Sequence, residues 1–240
     1  MGEDSKTSKT PARVLEKVLD NALEKQWQRA SVSVDGHRRR SPDATPDEIA
    51  RRIVDEFVRD VSVIGAAGGA VAAVPGPGTA VKLIGGTIVE TGALLERASY
   101  MIMGVAEAYG LGLEELDVRR YAVLRVLGAW AGISQGATGL AGTLGAGLGK
   151  KATEAIPMTA IHTFNKAMRK QIIFKWASRT GTIRLGSALP FGIGAGIGGA
   201  SNYFIGKSLG RVAISECRPI KADLTDSGPD RIDDDPATQR

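Results

Sequence analysis

The chain has 240 residues, 43% of them hydrophobic, enough for one sizeable core or two small ones. Its net charge is +5, and its single cysteine, Cys217, excludes an internal disulfide framework. Only 5% of residues are aromatic while 31 are glycine, so the core must rest on small and aliphatic side chains whose backbones approach closely.

Strand-forming residues nowhere alternate with polar ones over a long stretch. The reading is all-α: a single multi-helix bundle with glycine-rich, closely packed helices and a disordered C-terminal tail. The start, "MGEDSKTSKTPARVLEKVLD", has no apolar h-region of a signal peptide. Lys6 stands where a myristoylation pattern needs Ser or Thr. Residues 1–11 are expected to be disordered. Residues 12–30 form an amphipathic helix, with Val14, Leu15, Val18, Leu19, Ala22 and Leu23 on one face. Residues 31–45 read as a linker that ends in a helix start. There Thr45 offers an N-cap, Pro46 takes the first turn and Glu48 completes a capping box.

The main helical domain is expected over 46–217. Its first helix runs into "VSVIGAAGGAVAAV" and is stopped by "PGPG" at Pro75 to Gly78. That uncharged run is shorter than the ~20 residues of a membrane span. The next helix covers Thr79 to about Tyr109, and its charges, Lys82, Glu90, Glu96, Arg97 and Glu107, fall within one arc of about 120°. This is an amphipathic helix with a polar stripe. "YGLGLEELD" breaks it, and a further helix starts near Asp117. Gly128, Gly132 and Gly136 continue at a spacing of four, as do Gly145 and Gly149, so a glycine groove on a continuing helix is expected there. Lys151 to about Arg179 reads as a helix kinked at Pro157, and Phe191 to Glu216 as the last one. The tail 218–240 is polar, rich in Asp and Pro, and expected to be disordered.

The sequence offers little chemistry. Gly194, Gly196 and Gly199 satisfy G-x-G-x-x-G, but "RLGSALPF" before them is no strand, and no second βαβ unit exists. "GTLGAGLGKK" fails as a phosphate loop, with Leu144 in place of the first glycine and Lys151 in place of the hydroxyl. His37 and His162 are far apart, and His162 has no carboxylate three or four residues away on its own helix. No metal, no cofactor and no catalytic set are expected. A hydrolase would need a carboxylate such as Glu90 or Glu96 facing inward, and the helical wheel turns both outward.

Charge is more informative. No acid occurs from Ala155 to Ser215, while Lys166, Arg169, Lys170, Lys175, Arg179, Arg184, Lys207 and Arg211 all do. Unopposed cations beside glycine-rich apolar helices suit an anionic phospholipid membrane or lipid. Nucleic acid is disfavoured, because the aromatics of a stacking platform are scarce. The contacts expected with lipid or membrane are Lys166, Arg169, Lys170, Lys175, Arg179 and Arg211, the last at the border of a small-residue face. That face carries the expected packing glycines, Gly192, Gly194, Gly196, Gly198, Gly199, Gly206 and Gly210, with Tyr203 beside them. The run from Leu185 to Ile205 is long enough to span, yet Pro190, Asn202 and its glycines make it a poor span on its own. A helix buried in the bundle and able to contact lipid is the preferred reading.

"IGAAGGAVAAVPGPGTA", "AYGLGLEELDVRRYAVLRVLG" and "ALPFGIGAGIGGASNYFIGKSLGRVA", in that order, resemble the EcsC protein family over about Pro46 to Glu216. The matching positions are Pro75, Gly76, Tyr109, Gly110, Arg119 and Arg120, then Pro190, Gly194, Gly198, Gly199, Asn202, Tyr203, Gly210, Arg211 and Ala213. Gly128 to Lys151 is the least similar part. The resemblance implies a helical bacterial domain, encoded in its namesake beside an ABC transporter, with membrane association and no catalytic residues to carry over. Composition and resemblance together lead to a non-enzymatic, membrane-associated protein at the cytoplasmic face of the cell membrane, with a membrane-protein partner also compatible. The alternative is a soluble helical adaptor that takes a protein partner in an apolar groove.

Overall fold

The computed structural model describes residues 9–72, 79–133, 156–185 and 193–218. Among these residues there are seven helices and no strand, so the chain is all-α. They are α1 (Lys9–Lys25), α2 (Trp27–Arg40), α3 (Pro46–Ala72), α4 (Thr79–Ala108), α5 (Leu116–Trp130), α6 (Met158–Leu185) and α7 (Ile193–Cys217). The expected disorder over 1–8 and 219–240 lies outside the described residues.

Two expectations near the N-terminus are corrected. The first helix begins at Lys9, not Ala12, with Pro11 in its first turn, where a missing N–H costs nothing. The segment 31–45 is no linker, because α2 runs through it to Arg40. Ala30, Val34 and His37 recur at helical spacing and are buried, and that burial outweighs the turn-forming Asp35-Gly36 pair. The helix ends where Ser41 N–H donates to the His37 carbonyl at 3.0 Å.

The capping box of α3 forms as expected. Glu48 N–H donates to Thr45 Oγ1 at 3.3 Å, and Thr45 N–H donates to Glu48 Oε2 at 2.7 Å. These bonds hold the Glu48 carboxyl below its usual range. The break after α4 also forms. Gly110 adopts a φ of 75°, and Leu111 N–H returns to the Ala106 carbonyl at 3.0 Å. The same motif ends α5. Gly132 has a φ of 71°, and Ile133 N–H reaches the Gly128 carbonyl at 3.0 Å. Gly132 is therefore a stop signal, not part of a continuing groove; Gly136, Gly145 and Gly149 lie outside the described residues. Pro157 does not kink a helix either: it precedes α6, which starts at Met158.

Side-chain contacts fix the helix directions. α7 lies antiparallel on α3. A methyl group at Gly199 would meet Ser62 and Ala66, one at Gly206 would meet Val58 and Val61, and one at Gly210 would meet Val54. Asn202, buried, donates to the Val61 carbonyl at 2.8 Å within this seam. α4 returns antiparallel to α3, with Arg97 3.6 Å from Asp60 and Gly104 against Ile53. α5 and α6 run side by side in the same direction: Tyr121 packs edge-on to Phe164 with ring centres 5.0 Å apart, and Trp130 lies 5.1 Å from Trp176. Trp130 Nε1 donates to Ser208 Oγ of α7 at 2.8 Å, which joins both halves. α1 and α2 lie along α4, with Leu15 and Val18 against Gly92, and the Arg38 guanidinium 3.1 Å from the Glu107 carbonyl.

The bundle thus has two ends. At one, the tied end, Asp47 of α3 accepts from Tyr109 and from Arg218, the latter through both oxygens at 3.1 and 2.9 Å. At the other, the far end, α3 finishes while α4 and α7 begin; α5 stops short of it, its Trp130 beside Ser208 in the middle of α7.

Candidate functional site

The cations expected to contact lipid separate in the structure. Lys166, Lys170 and Lys175 are exposed on α6, and Arg211 is exposed on α7. Arg179 belongs to α6, and its side chain lies outside the described residues. Arg169 is the departure. It is half-buried, hydrogen-bonded to Asp20 of α1, and 4.0 Å from Glu16. Its guanidinium is engaged inside the protein.

Of the expected packing glycines, Gly199, Gly206 and Gly210 face α3. Gly194, Gly196 and Gly198 lie in the first turns of α7. Gly192 lies outside the described residues. Tyr203 is not part of the small-residue face: it is 44% exposed, and its neighbour Phe204 is 69% exposed. On α6, Phe174 is 60% exposed between Lys170 and Lys175. The exposed face of α7 carries Phe204 near Lys207 and Arg211. Lys207 reaches Asp55 at 2.8 Å, an exposed pair in which Asp55 raises the ammonium's affinity for its proton. Two aromatic rings in water, each beside cations, were written in the sequence as "RKQIIFKW" and "NYFIGKSLGR", but position alone did not tell core from surface.

A polar junction joins α1, α5 and α6. Asp117 accepts from Arg120 at 2.6 Å through one oxygen, and its other oxygen lies 3.2 Å from His162 Nδ1. Asn165, buried, donates to the Asp117 carbonyl at 2.9 Å. Arg120 also reaches Asp20 at 3.5 Å, so Asp20 sits between two guanidiniums. The partner of His162 thus comes from another helix, which a search along its own helix misses. His37 behaves alike: buried in α2, its Nε2 lies 3.4 Å from Glu56 of α3. An aspartate can orient an imidazole for catalysis. Among the described residues, however, no side-chain hydroxyl or thiol bonds either ring, and Thr163 beside His162 donates to the Thr159 carbonyl instead. Glu96 is exposed and accepts from Gln26, so it offers no inward carboxylate.

A buried ion pair secures α5 to α7. Arg125, 5% exposed, donates through Nε to Glu216 at 2.9 Å and through Nη1 to the Tyr121 hydroxyl at 3.1 Å. Cys217 beside it is fully buried, and burial pushes its thiol up to about 12. That excludes a thiolate nucleophile near neutral pH. Among the described residues no group of three or more His, Cys, Asp or Glu side chains is arranged to hold a metal ion. None of their helices is long and apolar enough to cross a membrane. Comparison with family models, curated proteins and solved structures finds no match.

Proposed function

We propose that this chain is a non-enzymatic helical protein that binds the anionic surface of a membrane at its cytoplasmic face. One observation carries the reading: Phe174 and Phe204 stand exposed on α6 and α7, each near cations, within a stretch that has no acid from Ala155 to Ser215. An aromatic ring gains by leaving water at the headgroup level. A lysine or arginine beside it lays its stem along apolar surface and keeps its charge at the phosphates. Each such cation contributes ~1 kcal/mol near an anionic surface, about fivefold in affinity. The motifs that resemble the EcsC family lend the same support and rest on sequence alone.

Vesicle co-sedimentation tests the proposal. The protein is expected to pellet with vesicles of phosphatidylcholine and phosphatidylglycerol, not with phosphatidylcholine alone, and to be released by ~0.5 M salt as the charges are screened. K170Q/K175Q is expected to weaken binding by about 25-fold. Equal pelleting with both vesicle types, or with neither, overturns the electrostatic reading. A stoichiometric protein complex indifferent to lipid would favour the adaptor instead.

A further inference from the structure

We infer that the side of the bundle formed by α1 and α6 is the face that meets the anionic membrane. The inference rests on the membrane reading and names the surface that carries it.

A polar seam joins the two helices. Glu16 lies 4.0 Å from Arg169, and Asp20, one turn further along α1, bonds Arg169 and also reaches Arg120 of α5 at 3.5 Å. Asn165 bonds Asp117 and Phe164 packs on Tyr121, so Arg120 stands level with the part of α6 that precedes Arg169. α1 therefore runs antiparallel to α6. Each acid of α1 faces an arginine: Glu16 and Asp20 do so in this seam, and Glu24 lies near enough to Arg119 to favour its charge. α6 carries no acid at all.

Helical rotation puts cations just outside the seam. Counting about 100° per residue from Glu16, Leu19 falls at about 300°, Asp20 at about 40°, Arg13 at about 60° and Lys17 at about 100°. Counting from Arg169 on α6, Ile172 falls at about 300°, Lys166 at about 60°, Lys170 at about 100° and Phe174 at about 140°. Both helices thus turn from a buried flank, at Leu19 and Ile172, through the seam to outward cations. Because the helices are antiparallel, the two rotations bring Arg13 and Lys17 to the same side as Lys166 and Lys170. All four are exposed, and Phe174 is 60% exposed beside Lys170.

Spacing and charge select the occupant. Lys166 to Phe174 spans about 12 Å at 1.5 Å per residue, close to a Debye length of ~10 Å, so the four cations act together on one surface. They stand side by side on two parallel-lying cylinders and do not converge on a point. Such a strip suits a plane of many phosphates, and the Phe174 ring adds a group that gains by leaving water at the headgroup level. The cations of α7 are less suited, because Lys207 is held by Asp55, an exposed acid that would face the same phosphates.

Arg13 and Lys17 lie outside the acid-free stretch that first suggested lipid, so they test the face separately from the membrane reading. R13Q/K17Q is expected to weaken binding to phosphatidylglycerol vesicles about 25-fold. R51Q/R59Q removes the same charge from exposed positions on α3, which packs on α7 and α4, and is expected to change binding by less than about twofold. All four side chains are exposed, so urea unfolding should be little altered in either variant. Contact is read with a polarity-sensitive fluorophore on a single introduced cysteine; Cys217 does not compete, being buried with its thiol pushed up to about 12. A label at A167C, exposed on the same face as Phe174, is expected to shift blue on vesicle binding, and one at V63C on α3 is not. If the protein binds but R51Q/R59Q weakens it as much as R13Q/K17Q, or the label at 63 shifts as far as that at 167, this face is wrong while membrane binding stands. If the wild-type protein binds no anionic vesicles, the membrane reading itself fails.

Discussion

A methyl group on Gly210 would stand 2.2 Å from Val54 Cγ1 and 3.3 Å from Val54 Cβ. Val54 is β-branched and has one favoured rotamer on a helix, so it cannot turn away freely. On Gly199 the same methyl would find Ser62 O at 3.4 Å and Ala66 Cβ at 3.5 Å, ordinary contact distances. Alanine is better than glycine in a helix by ~1 kcal/mol, while overpacking costs ~1–3 kcal/mol. Gly210→Ala is therefore expected to lower stability by about 1–2 kcal/mol, and Gly199→Ala to leave it unchanged or raise it slightly, as read by urea unfolding. Adding Val54→Ala to Gly210→Ala should recover part of the loss through the coupling of neighbours. Loss of stability in Gly199→Ala equal to that in Gly210→Ala would contradict this packing. The spacing of four made every glycine of α7 look alike. What separates them is the residue opposite, and Val54 stands in another helix, far away in sequence. Arg169 teaches the same lesson: it belonged to a run of cations that suggested lipid, and Asp20, on a helix more than a hundred residues away, engages it.

Helix ends were legible where their cause is local. Thr45 and Glu48 reveal the start of α3, and Tyr109-Gly110 the end of α4, because each needs only its near neighbours. α2 was not legible, because Ser-Val-Ser-Val-Asp-Gly reads as a turn until Val34 and His37 find a core to enter. Gly132 was misread for the converse reason: a glycine in a spacing of four looks like packing, and its positive φ shows only in three dimensions. Asp20 of α1 reaches both Arg120 of α5 and Arg169 of α6. Asp20→Asn leaves those half-buried guanidiniums without that charge. A loss of about 1–2 kcal/mol is expected. Hydrogen exchange should locate it: amides of Lys9–Lys25 should exchange faster, and those of α3 and α7 little changed. A uniform acceleration across the bundle would show that Asp20 supports the whole fold and not the docking of α1.

For the whole molecule, the tied end sets how stability responds to pH. Burial, aided by the bond to Asp47, pushes Tyr109 up to about 12, and burial pushes Cys217 up to about 12 from 9.0. Both groups hold their protons more tightly when folded, so the stabilisation is complete below their unfolded values and is lost as pH rises toward 12. Asp47 is shifted down, chiefly by the Tyr109 hydroxyl, so its contribution holds above its unfolded value of 3.8 and fades as pH falls below it. The melting temperature is expected to be flat from about pH 5 to 9 and to fall above it. Cys217→Ala should remove the earliest part of the alkaline fall, and Tyr109→Phe should make the slope between about pH 10 and 12 shallower. A wild-type curve that stays level to pH 11 would contradict the burial of both groups.

The seam between α3 and α7 has a consequence during synthesis. Asn202 bonds a carbonyl 141 residues earlier in the chain, and Arg218 grips an aspartate 171 residues earlier. At about 5–20 residues per second, a ribosome takes roughly 7–30 seconds to supply Asn202 after Val61 has been made. For that interval Val54, Val58 and Val61 have no glycine face to receive them. Until α7 emerges, the nascent chain carries an uncovered valine ridge, which is the kind of surface that holding chaperones bind. Closure of the bundle waits for α7 to leave the exit tunnel.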